Sequence, residues 1–336
     1  MKKLLSLALA LIMVLTLSVA VLAAENQDAT FSLTYKLVND GTSNPAETFT
    51  FTFTNGQVTE ASAGAAAPAI PNATVTFDAG TATVAGLKKQ VSVALSEVEW
   101  PSVGIYTYDV KQVAGSTAGV TYSDVTAKLK VTVAWDEASS TYYTAFVTLS
   151  LADDGNDGQT DVKTANFENT YSAGSLSVTK NVTGNLGDRE KYFAITVTLT
   201  GEAGKTYADS YPVTGGSKLV DGAADAAAAT ISVGTPATFY LKHGETLTIA
   251  NLPYGVTYTV TEADYTSEGY DEEDIVYSDD ANKKIDSATD TVTITNNKGT
   301  TVDTGVVLDS LPYILLIAVA VVGVVAFTAK KRTTDR

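Results

Sequence analysis

Apolar and polar residues alternate one for one in short runs along the chain: Phe49-Thr50-Phe51-Thr52-Phe53, Ile105 to Val110, Leu129 to Val133, Ile195 to Leu199 and Val256 to Val260. Successive side chains of a strand point to opposite faces, so each run predicts a strand with one face in a core and one in water. Gly, Asn and Asp separate the runs, as turns require. No internal segment keeps a helical period, and the alanine-rich stretches 61–69 and 223–229 read equally as short helical insertions or as loops. Many short strands between turn signals predict an all-β chain of the sandwich class.

The pattern also repeats. Phe31 to Lys36, Tyr106 to Gln112 and Phe167 to Tyr171 follow one another in the first half, and Leu176 to Lys180, Tyr258 to Glu262 and Ile294 to Lys298 follow in the same order in the second. Two related tandem domains, 25–172 and 173–299, are expected from that order. The ends are different in kind. Met1-Lys2-Lys3, the apolar run Leu4 to Leu22 and then Ala23-Ala24-Glu25 predict a secretory signal over 1–24, the alternative being an uncleaved membrane helix. Leu311 to Ala329 carries no charge, and at 1.5 Å per residue it spans roughly 28 Å, about a bilayer core. Lys330-Lys331-Arg332 follows, which holds that end inside and sends the bulk of the chain out.

Composition narrows the function. The chain has 22 Lys and Arg against 38 Asp and Glu, a net charge of −16, which disfavours nucleic acid as a partner because phosphate contacts need clustered cations. Cysteine is absent, so an exported chain must hold itself together without disulfides. His243 is the single histidine, in a His-Gly-Glu turn read as solvent-exposed, which leaves no basis for a Ser-His-Asp or Cys-His site. Asp271 to Asp274 and Asp279-Asp280 lack the spacing of a calcium loop and read as solvated acidic turns. No metal and no cofactor is expected.

Strand parity singles out three polar residues. Val256, Tyr258, Val260 and Glu262 share one face, and Lys180 follows Leu176 and Val178 on another strand. An inward lysine, an inward carboxyl group and an asparagine on the closing strand are costly unless they meet. With these residues the chain resembles the sortase-assembled backbone pilins of Gram-positive surfaces, whose domains form intramolecular Lys–Asn isopeptide bonds. The resemblance runs from about Thr30 to the C-terminus and is strongest over Leu176 to Phe193, Asn251 to Tyr265 and Val302 to Tyr313.

The resemblance implies two tandem immunoglobulin-like β-sandwiches of the CnaB type. It also implies that Lys180 is the nucleophile, Asn296 the electrophile, with Asn297 as runner-up, and Glu262 the acid. The chemistry suits these types. Burial lowers the pKa of a lysine and yields the nucleophilic amine, while the same burial raises that of a carboxyl group and keeps its proton available. The matching first-domain residues are Lys36 and Asn169, but Gln112 stands where the acid belongs, and an amide cannot supply its proton. Asp109 has the opposite parity and is expected to face away, which leaves Glu97 or Glu99 on another strand as the alternative acids. A bond between first and last strands closes a loop of more than a hundred residues and, by analogy with disulfides, contributes about 4–5 kcal/mol. Tension between the ends then passes through the covalent link.

Thr301-Val302-Asp303-Thr304-Gly305 resembles the sortase pentapeptide without its proline, and together with the apolar span and basic tail it resembles a cell-wall sorting signal. Cleavage between Thr304 and Gly305 leaves Thr304 as acyl donor, and Lys163 lies close to where the family places its polymerising lysine. The flanking Asp153 to Thr160 is rich in Gly and Asp and reads as an accessible loop. The implied partners are a sortase, identical subunits in a covalent homopolymer, accessory pilins and cell-wall peptidoglycan. A permanent membrane anchor and a monomeric wall-anchored adhesin on the same signal are the alternatives.

Overall fold

The computed structural model describes residues 28–151, 166–216, 229–279, 281–300 and 311–334, and leaves out the side chains of Leu151, 311–314 and 327–334. Every alternating run becomes a strand. In β1 (Ala29–Leu37), Phe31, Leu33 and Tyr35 are buried while Ser32, Thr34 and Lys36 lie on the other face. In the first domain β1 is hydrogen-bonded on one side to β4 (Leu87–Val93) and on the other to β9 (Asn166–Tyr171), with the short β6 (Val120–Thr121) beyond it. The opposing sheet has β2 (Glu47–Thr59) between β3 (Ala73–Phe77) and β5 (Gly104–Gln112), followed by β7 (Thr126–Asp136) and β8 (Thr141–Leu151). Phe31 of one sheet meets Phe51 of the other edge-on at 4.8 Å between ring centroids, and Phe167 closes on Phe51 at 4.9 Å, which ties β1, β2 and β9 into one core.

The second domain has the same plan. Its larger sheet runs from β13 (Thr230–Ile231) through β12 (Tyr211–Gly215), β15 (Thr246–Pro253), β10 (Ala173–Thr183) and β18 (Thr289–Asn297) to β17 (Asp274–Tyr277). The smaller sheet is β14 (Ala237–Leu241), β11 (Phe193–Thr200) and β16 (Thr257–Glu262). Leu176, Val178, Ile195, Val197, Val260 and Ile294 fill the space between. In both domains the first and last strands are parallel neighbours, β1 with β9 and β10 with β18. Parallel neighbours cannot be joined by a hairpin, so the rest of each domain forms the connection between them.

A single residue, Ser172, links β9 to β10, and hydrogen bonds on either side of it hold the two domains together. Ser172 donates its N–H to the Gly119 carbonyl at 2.8 Å and accepts from Tyr254 N at 2.9 Å. Asn39 Nδ2 donates to both Ala173 O, at 2.8 Å, and Tyr254 Oη, at 2.6 Å. Gly174 is required by close approach, because a Cβ there would stand 2.1 Å from the Ser287 carbonyl oxygen. Gly174→Ala is accordingly expected to destabilise the second domain by roughly 1–3 kcal/mol, read as a lower denaturant midpoint at unchanged m; an unchanged midpoint would contradict the packing.

Residues 61–69 are irregular rather than helical. Helix α1 (Leu311–Thr334) leaves Leu315, Leu316 and Ile317 exposed. Among the described residues no helix is long and apolar enough to cross a membrane, and the expected span 311–329 extends past the described side chains at both ends. The expected signal at 1–24, the Thr301 to Gly305 motif with Thr304 and Gly305, Lys163, Asp280 and residues 223–228 lie outside the described residues.

Candidate functional site

β10, β16 and β18 each turn one polar residue into the otherwise apolar interior of the second domain. β10 buries every second residue, and after Leu176 and Val178 that periodicity carries Lys180 inward to 0% exposure. β18 alternates likewise, so Asn296 is buried at 1% while its neighbour Asn297 faces out and donates to Asp271 Oδ2 at 2.6 Å. The parallel register sets Lys180 opposite Ile294 and Val182 opposite Asn296, two residues apart along the shared interior face. Glu262, opposite Ile195, extends the Tyr258–Val260 face of β16 toward them from the other sheet. Lys180 Nζ donates to Asn296 Oδ1 and lies 3.0 Å from Glu262 Oε1, with both charged side chains wholly out of solvent. Asn296, not Asn297, is the amide within reach.

Burial pushes the Lys180 amine below its ordinary range, against the opposing pull of the Glu262 carboxylate. The same burial pushes the Glu262 carboxyl above the usual range, against the pull of Lys180. The ion pair and the pair of neutral groups hold the same number of protons. The polarity of the interior therefore selects between them, and a dry interior favours the neutral amine beside the protonated acid.

Aromatic rings seal the cluster. Lys180 Nζ lies 4.4 Å from the centroid of the Phe193 ring, and Tyr265 and Tyr270 pack edge-on against Phe193 at 4.8 and 5.3 Å. Tyr265 Oη accepts from Ala194 N at 2.8 Å, which fixes it beside the site. The turn after β14 grips β10 at the lysine: Lys180 N donates to Glu245 O at 2.9 Å and Gly244 N to Lys180 O at 2.8 Å. His243 belongs to that grip. It is half-buried and its Nδ1 accepts from Val182 N at 3.0 Å, which corrects the reading of a solvent-exposed turn histidine.

The first domain has the asparagine but not its partners. Asn169 is buried at 0%, and its Oδ1 accepts from Gln112 Nε2 at 2.7 Å and from Ser123 N at 2.9 Å. Its Nδ2 donates back to Gln112 Oε1 at 3.2 Å, completing a reciprocal amide pair. Lys36 is not brought to Asn169. It has the opposite parity to the buried Tyr35 and Leu37, leaves the domain interior and pairs with Glu168 at 2.5 Å. Register shows what replaces it: Leu33 lies opposite Phe167, two residues before Asn169, as Lys180 lies opposite Ile294, two residues before Asn296. Glu97 and Glu99 are exposed and do not reach in. Asp109 faces away as parity requires, and its ion pair with Lys128 holds the carboxyl below its usual range.

Among the described residues no group of acidic or histidine side chains has the arrangement of a metal site. Residues 32–172 match a family described as a Spy0128-like isopeptide containing domain, and 174–298 match one described as a domain of unknown function, DUF7601. A pilin of Streptococcus pyogenes serotype M1 is 33% identical over 252 residues, 70% of either chain. The pilus tip adhesin Cpa of S. pyogenes shares 34% identity over 88 residues, 26% of this chain and 11% of the adhesin. The crystal structure of the major pilin from S. pyogenes superposes with a TM-score of 0.55 at 25% identity, covering 82% of this chain and all of that one.

Proposed function

Because the chain belongs to the pilin family of these streptococcal proteins, we propose that it is the structural shaft subunit of a covalent surface pilus, clamped internally by a Lys180–Asn296 isopeptide bond. The observation that carries the reading is the meeting of Lys180, Glu262 and Asn296 in an interior closed to bulk solvent. The neutral Lys180 amine attacks Cγ of Asn296 while the Glu262 acid donates to Oδ1 and polarises the carbonyl. Glu262 then takes a proton from the attacking nitrogen and passes one to the departing amide nitrogen, so that an N–C bond replaces another and one ammonia leaves. The reaction happens once per molecule and acts on no outside substrate. The clamp belongs to the subunit's own maturation.

Assembly uses Thr304 as the acyl donor and Lys163, which precedes β9 in the sequence, as the acceptor. A sortase cleaves between Thr304 and Gly305 and transfers the Thr304 carbonyl to the Lys163 amine of the next copy. Accessory pilins join the homopolymer by the same chemistry, and peptidoglycan receives its base. Denaturing gels of cell-wall extracts should resolve a ladder of covalent multimers that Lys163→Ala collapses to one band. A ladder that survives the substitution removes Lys163 from the scheme. A single band from the wild-type chain would favour a monomeric wall-anchored adhesin on the same signal.

A further inference from the structure

We infer that fibre tension bypasses the body of the first domain, strands β1 to β8, and travels only along β9, Ser172, β10, the Lys180–Asn296 link and the end of β18. This rests on the proposed polymerisation, in which tension enters just upstream of β9 and leaves just beyond β18. The route follows from topology. β9 ends at Tyr171 and β10 begins at Ala173, so the last strand of one sandwich continues into the first strand of the next through one residue. β9 is already extended and lies between β1 and β6, and a pull on both its ends runs along its own backbone, loading none of the hydrogen bonds to its neighbours. Beyond Ser172 the tension runs up β10 as far as Lys180 and crosses to Asn296, one residue from the end of β18. Strands β11 to β17 are enclosed in the loop that the link closes, and β1 to β8 precede the point of entry.

The bypass accounts for an asymmetry that sequence kinship leaves unexplained. Lysine and acid converge on the buried asparagine in the domain through which tension must pass from its first strand to its last. In the first domain, where only the last strand is loaded, the same positions hold Leu33 and Gln112. The first domain then rides beside the shaft and can open and close without lengthening it.

The absence of cysteine makes engineered thiols unique handles. Two pairs on the secreted chain separate the routes: Asn166→Cys with Thr300→Cys, and Thr30→Cys with Thr300→Cys, each pulled in an optical trap or force microscope after its mass has been recorded. The Asn166/Thr300 pair should show no unfolding step. The Thr30/Thr300 pair should show one step of about 45–50 nm, the extended length of the first domain. In Lys180→Ala the counts should rise to one and two, the added step being the second domain. A step in the Asn166/Thr300 pair of molecules whose mass shows the link overturns the bypass. A step accompanied by the unreacted mass instead refutes the isopeptide reading, and equal step counts for the two pairs overturn the bypass in either background.

Discussion

Glu262→Ala should yield a chain that keeps its ammonia and melts on the order of 20 °C lower in its second domain. Two losses combine. Without a carboxyl group to polarise Asn296 and move protons, the amide does not react, and a cross-link contributing about 4–5 kcal/mol is gone. Lys180 also remains at 0% exposure with no acid beside it, and an unpaired buried amine is costly in its own right. At the usual relation between stability and melting temperature for domains of this size, the cross-link alone corresponds to a shift of that order. Glu262→Gln separates chemistry from packing: it preserves volume and hydrogen bonding but has no acidic proton. Both variants should retain the encoded mass by intact mass spectrometry. A Glu262→Gln chain that still loses ammonia would show that the acid is dispensable.

The second large effect is expected in the first domain, which we predict to mature without any cross-link. Leu33→Lys by itself should destabilise that domain by several kcal/mol, because it buries an amine at a fully enclosed position whose register partner Phe167 is two residues before Asn169, and Asn169 is paired with the Gln112 amide in place of an acid. Adding Gln112→Glu should recover the loss and go further: the lysine, acid and asparagine of the second domain are then reproduced in register, a second ammonia leaves, and the first melting transition rises. Calorimetry and intact mass on the single and double variants read both effects. The idea is lost if the wild-type chain already lacks two ammonias, or if Leu33→Lys reacts without the acid.

These two domains also show where sequence suffices. Strand faces were legible because the side-chain period of a strand is two; counting from Leu176 and Val178 takes Lys180 inward, and counting from Tyr258 and Val260 does the same for Glu262. The same count settles Lys36, which is one residue past the inward Tyr35, so matching the repeats by residue type placed it on a face that its parity forbids. Tyr265, Tyr270 and His243 carry no periodic signal because they sit outside the strands. His243 reaches Val182 across 61 residues of chain, and such a contact depends on how β14 and β15 turn beside β10. The continuous passage from β9 into β10 was hidden for a related reason. A short linker is visible in the sequence, but that it joins the loaded strands of two sandwiches is a property of sheet order.

Everything proposed for the shaft depends on a covalent bond between two side chains that parity and register bring together. Proteolysis of the mature chain followed by tandem mass spectrometry examines it directly. The account predicts a branched peptide in which the Lys180 segment is joined to the Asn296 segment and the pair is lighter by one ammonia. Two separate linear peptides, each at its encoded mass, would contradict it.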